Sequence, residues 1–268
     1  MIFPGPSKTL IAYPSLPRFS ELLKGFRHGE LSIVTGTTGI GKTTFLSQVS
    51  LDLLKQNVKT LWGSFEIKNQ RLGLAMMRQF TGGEVTEANF HEVSEQFSQL
   101  PLWFLRFHGS APVDEVMSAL EAAFYSHDIE HIILDNLQFM LGSALNAGAS
   151  KFDIQDEVIS RLRSFATRNN CHITLCVHPR KEPDGSLLGL SSVFGSGKVT
   201  QEADNVILLQ SSDPDRMFRS INLRKNRFEG TLGNIPFRFD PKSKKLIEMT
   251  PNEFAIYEEK IRQQQISA

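Results

Sequence analysis

The chain has 268 residues, 40% hydrophobic and 22% charged, with 29 Lys+Arg balancing 29 Asp+Glu. That length buries a sizeable core as one large domain or two small ones. The balanced charge excludes a polybasic tail protein and an acidic disordered chain, but not a local basic loop. Cys171 and Cys176 are the only cysteines. Five positions apart in one expected strand, they face opposite ways, which excludes a mutual disulfide, and no Cys/His spacing reads as zinc.

Residues 1–20 hold Pro4, Pro6, Pro14 and Pro17 and read as an extended lead-in, ahead of a core over 21–240 and a tail over 241–268. Neither a signal-peptide core nor an Arg-rich transit pattern is visible there, which leaves a cytosolic protein or an excised piece. From Leu31 short β-rich runs alternate with helical ones. Strands are expected at 31–36, 58–66, 101–107, 131–137, 172–178 and 205–210. Between them fall helices at 42–56, 69–81, 86–98, 113–125 and 153–169, the last with Ile154, Val158, Leu162 and Phe165 on one face. This is an α/β chain with a mostly parallel central sheet flanked by helices. Consecutive strands near 217–224 and 235–239 add antiparallel C-terminal edge strands, and 251–265 reads as a helix opened by Pro251. The stretches 141–150 and 179–198 take no assignment and read as functional loops. Apolar runs such as Ile132-Ile133-Leu134 are too short to cross a bilayer, so no membrane partner is expected.

The most specific string is Gly36-Thr37-Thr38-Gly39-Ile40-Gly41-Lys42-Thr43, followed by Thr44, which fits G-x-x-x-x-G-K-[ST] in full. It follows an apolar strand and opens a helix, so backbone N–H groups and the helix N-terminus converge on phosphate oxygens. Lys42 then reaches the β- and γ-phosphates of ATP or another NTP, and the Thr43 hydroxyl takes Mg²⁺. Asp135, at the end of Ile132-Ile133-Leu134, is the expected second Mg²⁺ carboxylate, with a turn or cap aspartate as the plainer reading. Glu66 ends its strand on the same edge, as a general base or as a solvated strand-exit glutamate; the residues alone leave both open. His178 closes its strand there too, and a lone histidine is more often structural. His131 and His172 begin strands and read as structural. Gly195-Ser196-Gly197-Lys198 fails as a second phosphate loop, because Ser192 and Val199 stand where Gly and Ser/Thr are needed.

The strings GTTGIGKTTF, SFE at 64–66, IILDNLQFM, HPRK at 178–181, GSGKVTQEADNVI at 195–207 and KNRF at 225–228 together resemble the RecA-like, DnaB-type replicative helicases. WGSFEI, DNLQFM, NNCH, HPRK and QEADNV are most similar to the Twinkle-like mitochondrial branch related to phage primase-helicases. The resemblance runs from about residue 15 to 240. It implies a RecA-like P-loop NTPase fold. It also implies a hexameric ring that moves 5′ to 3′ on single-stranded DNA, unwinds forked duplex in replication and sits in mitochondria.

By the same resemblance Glu66 is the catalytic carboxylate, His178 the phosphate sensor, Arg227 an arginine finger acting in trans, and Lys225 its accompanying cation. Strand alternation from Asn222 puts Lys225 and Arg227 on one face. DNA contact falls on Ser191–Thr200, with Ser196, Gly197 and Lys198 tracking the phosphate backbone. Phe194 either stacks on a base or anchors packing. Arg180 and Lys181 either touch DNA or couple His178 to that loop. Fuller relatives carry a primase-like region and a linker helix, both expected to be lacking here. A RecA-like DNA-dependent ATPase, or a nucleotide-gated DNA-binding module without unwinding, remains the alternative.

Overall fold

A computed structural model of the chain describes residues 11–141, 151–180, 188–193, 197–211 and 219–266. The elements, in order, are α1 Pro17–Leu23, β1 Leu31–Gly36, α2 Lys42–Leu54, β2 Thr60–Ser64, α3 Asn69–Thr81, α4 Glu87–Ser98, β3 Leu102–Phe104, α5 Val113–His127 and β4 His131–Asp135. Then come α6 Gln138–Leu141, α7 Lys151–Asn169, β5 His172–Val177, α8 Gly197–Glu202, β6 Asn205–Ser211, β7 Arg219–Asn226, β8 Gly233–Asp240, β9 Lys245–Glu248 and α9 Pro251–Ile266.

Among the described residues nine strands form one sheet, ordered β3-β2-β4-β5-β1-β6-β7-β8-β9. From β3 to β6 every neighbouring pair is parallel, and β6 to β9 are joined antiparallel. This is the mostly parallel α/β arrangement with antiparallel edge strands that the alternating pattern predicts. The central strands are buried along their length, β1 and β5 at every position, because helices cover both faces. Side-chain alternation divides the core in two. Ile33, Ile132 and Leu175 pack with α5 and α7, whereas Val34, Ile133 and Cys176 pack with α1 and α2. Cys171 and Cys176 accordingly fall on opposite sides and are both free. Trp62 is fully buried in β2, and its indole N–H donates to Ser50 Oγ of α2 at 3.0 Å, which pins the phosphate-loop helix to the sheet.

The structure departs from the sequence expectation at several stretches: the strand expected over 101–107 is only Leu102–Phe104, and Gln138–Leu141 forms a short helix. Pro17 opens a helical turn inside the expected extended lead-in. Proline is tolerated at that position, and burial of Phe19 and Leu23 holds the turn in place. Lys245–Glu248 adds β9 to the sheet edge beyond residue 240, where Leu246 is fully buried. Gly197 and Lys198 are the first turn of α8 and not an open loop; Val199, fully buried, anchors that helix. Among the described residues no helix is long and apolar enough to cross a membrane.

Candidate active site

Parallel strands present their C-terminal ends on one edge, and the register aligns them. Ser64 pairs with Asp135, and Thr35 pairs with Val177, one residue before His178. Glu66, Asp135, His178 and the Gly36–Thr43 loop therefore lie along the edge of four adjacent strands, β2-β4-β5-β1. That is the crevice side on which open α/β sheets take ligands.

The loop turns on Gly39 (φ 77°) and Gly41 (φ 111°), conformations that side chains rarely adopt. At Gly36 the constraint is spatial: a Cβ would stand 2.2 Å from the Leu209 carbonyl oxygen of β6. Lys42 is buried, and its ammonium donates to the carbonyls of Gly36 at 2.8 Å and Thr37 at 3.2 Å. Among the described residues it forms no ion pair with a carboxylate. A buried cation held only by carbonyl dipoles suits an anionic ligand. Thr43 Oγ1 donates to Asp135 Oδ2 at 2.7 Å, which joins two hard oxygen ligands from α2 and β4. Among the described residues no group of three or more His, Cys, Asp or Glu could hold a metal. Thr43 and Asp135 fit Mg²⁺, an ion usually held by few protein oxygens together with substrate phosphates.

Beyond Asp135 the chain passes a cis Asp135–Asn136 peptide bond into α6. Asn136 is fully buried, and its amide nitrogen lies 3.0 Å from Glu66 Oε2 and 3.0 Å from His178 Nε2. Glu66 and His178 themselves stand 4.0 Å apart, the carboxylate half exposed. Partial burial and the Lys42 charge hold the His178 imidazole below its ordinary pKa, with Glu66 and Asp135 opposing, which favours the neutral ring. Asn136 went unnoticed in the sequence. The available signal is a polar residue inserted between the strand-end aspartate and Leu137.

A cleft of about 290 Å³ opens beside the loop, lined by Thr43, Thr44, Arg71, Arg78, Phe239 and Lys244 among others. Phe239 of β8 is exposed there, with the Lys244 ammonium 5.8 Å from its ring centre. This apolar and cationic surface next to a phosphate loop has the chemistry of a nucleoside site. Nothing in the spacing of Arg71 or Phe239 marks it in advance, because the cleft is assembled from three separate elements.

The basic pair lies elsewhere. Lys225 Nζ donates to the carbonyl oxygens of Thr200 at 2.7 Å and Gln201 at 3.1 Å, and Arg227 also donates to Gln201 O. Both side chains thus share a face, against the C-terminal end of α8. Arg227 pairs with Asp204 at 3.0 Å, and the same buried carboxylate takes Arg163 at 2.6 Å and the Leu31 N–H at 2.9 Å. Asn226 pairs with Asn205 and Asn205 with Ser32, so this cluster sits at the start of β1, the edge opposite the phosphate loop. Pro179 bridges to Val193 and the Arg180 N–H donates to Ser192 O at 2.8 Å, tying the end of β5 to the segment before α8. Lys181, Phe194 and Ser196 lie outside the described residues.

Fold and edge geometry together define a RecA-like P-loop α/β domain. The family model described as "AAA domain" matches residues 10–184, more than half of the chain, and the chain belongs to that family. It is 20% identical over 245 residues to a "Probable replicative DNA helicase" of Trieres chinensis, covering 82% of this chain and 53% of that protein. It is 22% identical over 230 residues to the "DNA helicase/primase" of Enterobacteria phage T3, covering 78% and 40%. The chain thus spans about half or less of the length of these relatives. The solved structure of a DnaB-like replicative helicase superposes with a TM-score of 0.71 at 13% identity, covering 84% of this chain and 59% of that one, a likeness of fold.

Proposed function

We propose that the chain is the motor domain of a DnaB-type replicative DNA helicase, hydrolysing ATP or another NTP with Mg²⁺ to move along single-stranded DNA. The observation that carries this reading is the convergence on one sheet edge of Lys42, the Thr43–Asp135 pair and the Glu66–Asn136–His178 cluster. In it the Gly36–Thr44 backbone and Lys42 grip the phosphates, and Thr43 with Asp135 hold the metal. When bound, Mg²⁺ supplies charge neutralisation at the phosphoryl oxygens. Glu66 orients and deprotonates the attacking water, and neutral His178 senses the terminal phosphate. Arg227 and Lys225 serve a neighbour's nucleotide in a hexameric ring. DNA is tracked through its backbone by Ser196, Gly197 and Lys198, and Arg180 and Lys181 either touch DNA or couple His178 to that segment. The ring is proposed to run 5′ to 3′ and to open forked DNA. The strings shared with the Twinkle-like branch support a mitochondrial member, with the matrix as its proposed compartment.

NTP hydrolysis by the purified chain, with and without single-stranded DNA, tests the reading together with unwinding of a forked duplex. DNA-stimulated hydrolysis with unwinding is expected; stimulation without unwinding would leave a DNA-dependent ATPase. Lys42→Ala is expected to abolish nucleotide binding or turnover, and near-normal activity in that variant would remove the phosphate-loop assignment.

A further inference from the structure

We infer that Asn136 is a positioning residue: its amide ties the Glu66 carboxylate to the His178 imidazole and fixes that ring as the Nδ1–H tautomer. The inference rests on the reading of Glu66 and His178 given above.

Hydrogen-bond bookkeeping decides the orientation. Asn136 Oδ1 accepts the Gln138 backbone N–H at 3.1 Å. Its Nδ2 therefore faces the other way, towards Glu66 Oε2 and His178 Nε2, both at 3.0 Å. Swapping oxygen and nitrogen would set a carbonyl against a carboxylate and an amino group against an N–H, two repulsions at once. An amide nitrogen only donates, so His178 Nε2 must accept, and the ring proton sits on Nδ1. That leaves Nδ1–H as the group able to donate to a phosphoryl oxygen.

Glu66 and His178 are 4.0 Å apart, too far for a direct hydrogen bond, so Asn136 is the atom-level joint between them. Full burial of an amide is costly unless its hydrogen bonds are made, and here both ends make them. Gln138 reinforces the joint, its Oε1 accepting the His178 backbone N–H at 3.3 Å. The end of β5 is tied to Ser192 and Val193, so unbroken contacts run from that segment through His178 and Asn136 to Glu66.

Asn136→Asp changes volume little and keeps the acceptor for Gln138, but it sets a carboxylate against Glu66; Asn136→Ala, which removes the amide without adding charge, is therefore measured beside it. DNA-stimulated kcat for ATP is expected to fall by ~10–100-fold with KM nearly unchanged, in Asn136→Asp and Asn136→Ala alike, as misplacement of a reacting group does. In the His178→Ala background Asn136→Ala should cost clearly less than it does alone, because the histidine arm of the joint is already gone while the bond to Glu66 remains. Histidine-¹⁵N spectra of the unliganded chain should show His178 with an unprotonated Nε2, and a tautomer mixture in Asn136→Ala. A folded Asn136→Asp chain that keeps kcat within about twofold, fully additive losses in the double variant, or an Nε2-protonated His178 would each overturn the inference. Glu66→Gln separates the two failures. Undiminished turnover there would sink the reading of Glu66 itself, whereas its loss beside an indifferent Asn136→Asp would sink only the positioning role.

Discussion

Gly36 and Gly41 belong to one motif, yet different constraints require glycine at each. At Gly36 a methyl group would meet the backbone oxygen of Leu209 at 2.2 Å, and a backbone atom of an adjacent strand cannot swing aside as a side chain does. At Gly41 the nearest atoms lie 4.0 Å away, and only the φ of 111° resists substitution. Gly36→Ala should therefore push β1 from β6, costing roughly 1–3 kcal/mol or more as overpacking does. Gly41→Ala should cost about 1–2 kcal/mol through backbone strain. Denaturant midpoints of the two variants check the order. A Gly36→Ala chain as stable as wild type would mean that the loop and β6 are not in this contact. Both variants should also lose affinity for a fluorescent nucleotide analogue, since the curl of the loop aims its N–H groups.

At the scale of the element, the starts of β4 and β5 hold two histidines in register, His131 beside His172, with ring centres 5.4 Å apart. Burial pushes both imidazoles below their ordinary pKa, His131 strongly, where repulsion from a charged His172 adds to the effect. A depressed pKa means the folded chain refuses a proton that the unfolded chain accepts near pH 6.5. Stability is then intact above that pH and is lost as pH falls below it. Each histidine should steepen the loss by about 1.4 kcal/mol per pH unit, so denaturant titrations at pH 7.5, 6.5 and 5.5 should show a decline that His131→Gln roughly halves. A flat profile would mean the rings gain protons in the folded state.

These two positions were legible as structural from their place at strand starts, as were the sheet and the edge carrying Glu66, Asp135 and Lys42, because buried parallel strands announce themselves as apolar runs. The six-residue α8 was not. Glycine and serine dominate the string before it, and only tertiary burial of Val199 makes it helical. Asn136 was equally hidden, since one polar residue acquires meaning only when three strand ends meet. Placing Lys198 in the first turn of α8 sharpens its test. Lys198→Ala should weaken single-stranded DNA binding uniformly across sequences and reduce the salt slope by about 0.7, with basal hydrolysis unchanged. An unchanged slope would take Lys198 off the DNA path.

For the whole molecule the decisive geometry is the separation of Arg227 from the phosphate loop of its own chain. Arg227 lies by the start of β1, and between Ser32 and Gly36, at about 3.3 Å per residue, runs roughly 13 Å of strand with the guanidinium turned towards α8. A chain so built cannot complete its own nucleotide site with Arg227, so a finger role requires a second copy. Removing the half-exposed guanidinium leaves the buried Asp204 still paired with Arg163 at 2.6 Å, so no buried charge is stranded. Arg227→Ala should therefore fold. Its hydrolysis should fall by ~10³–10⁵-fold if the finger reading holds. Mixed with Lys42→Ala chains, which keep Arg227 but lose the phosphate lysine, it should recover activity at interfaces where an intact loop meets an intact finger. The wild-type rate should rise more steeply than linearly with protein concentration, because two chains make each site. Confirmed co-assembly of the two variants with no recovery, together with a strictly linear rate, would assign Arg227 to the Asp204 network and leave the site to be completed by another residue.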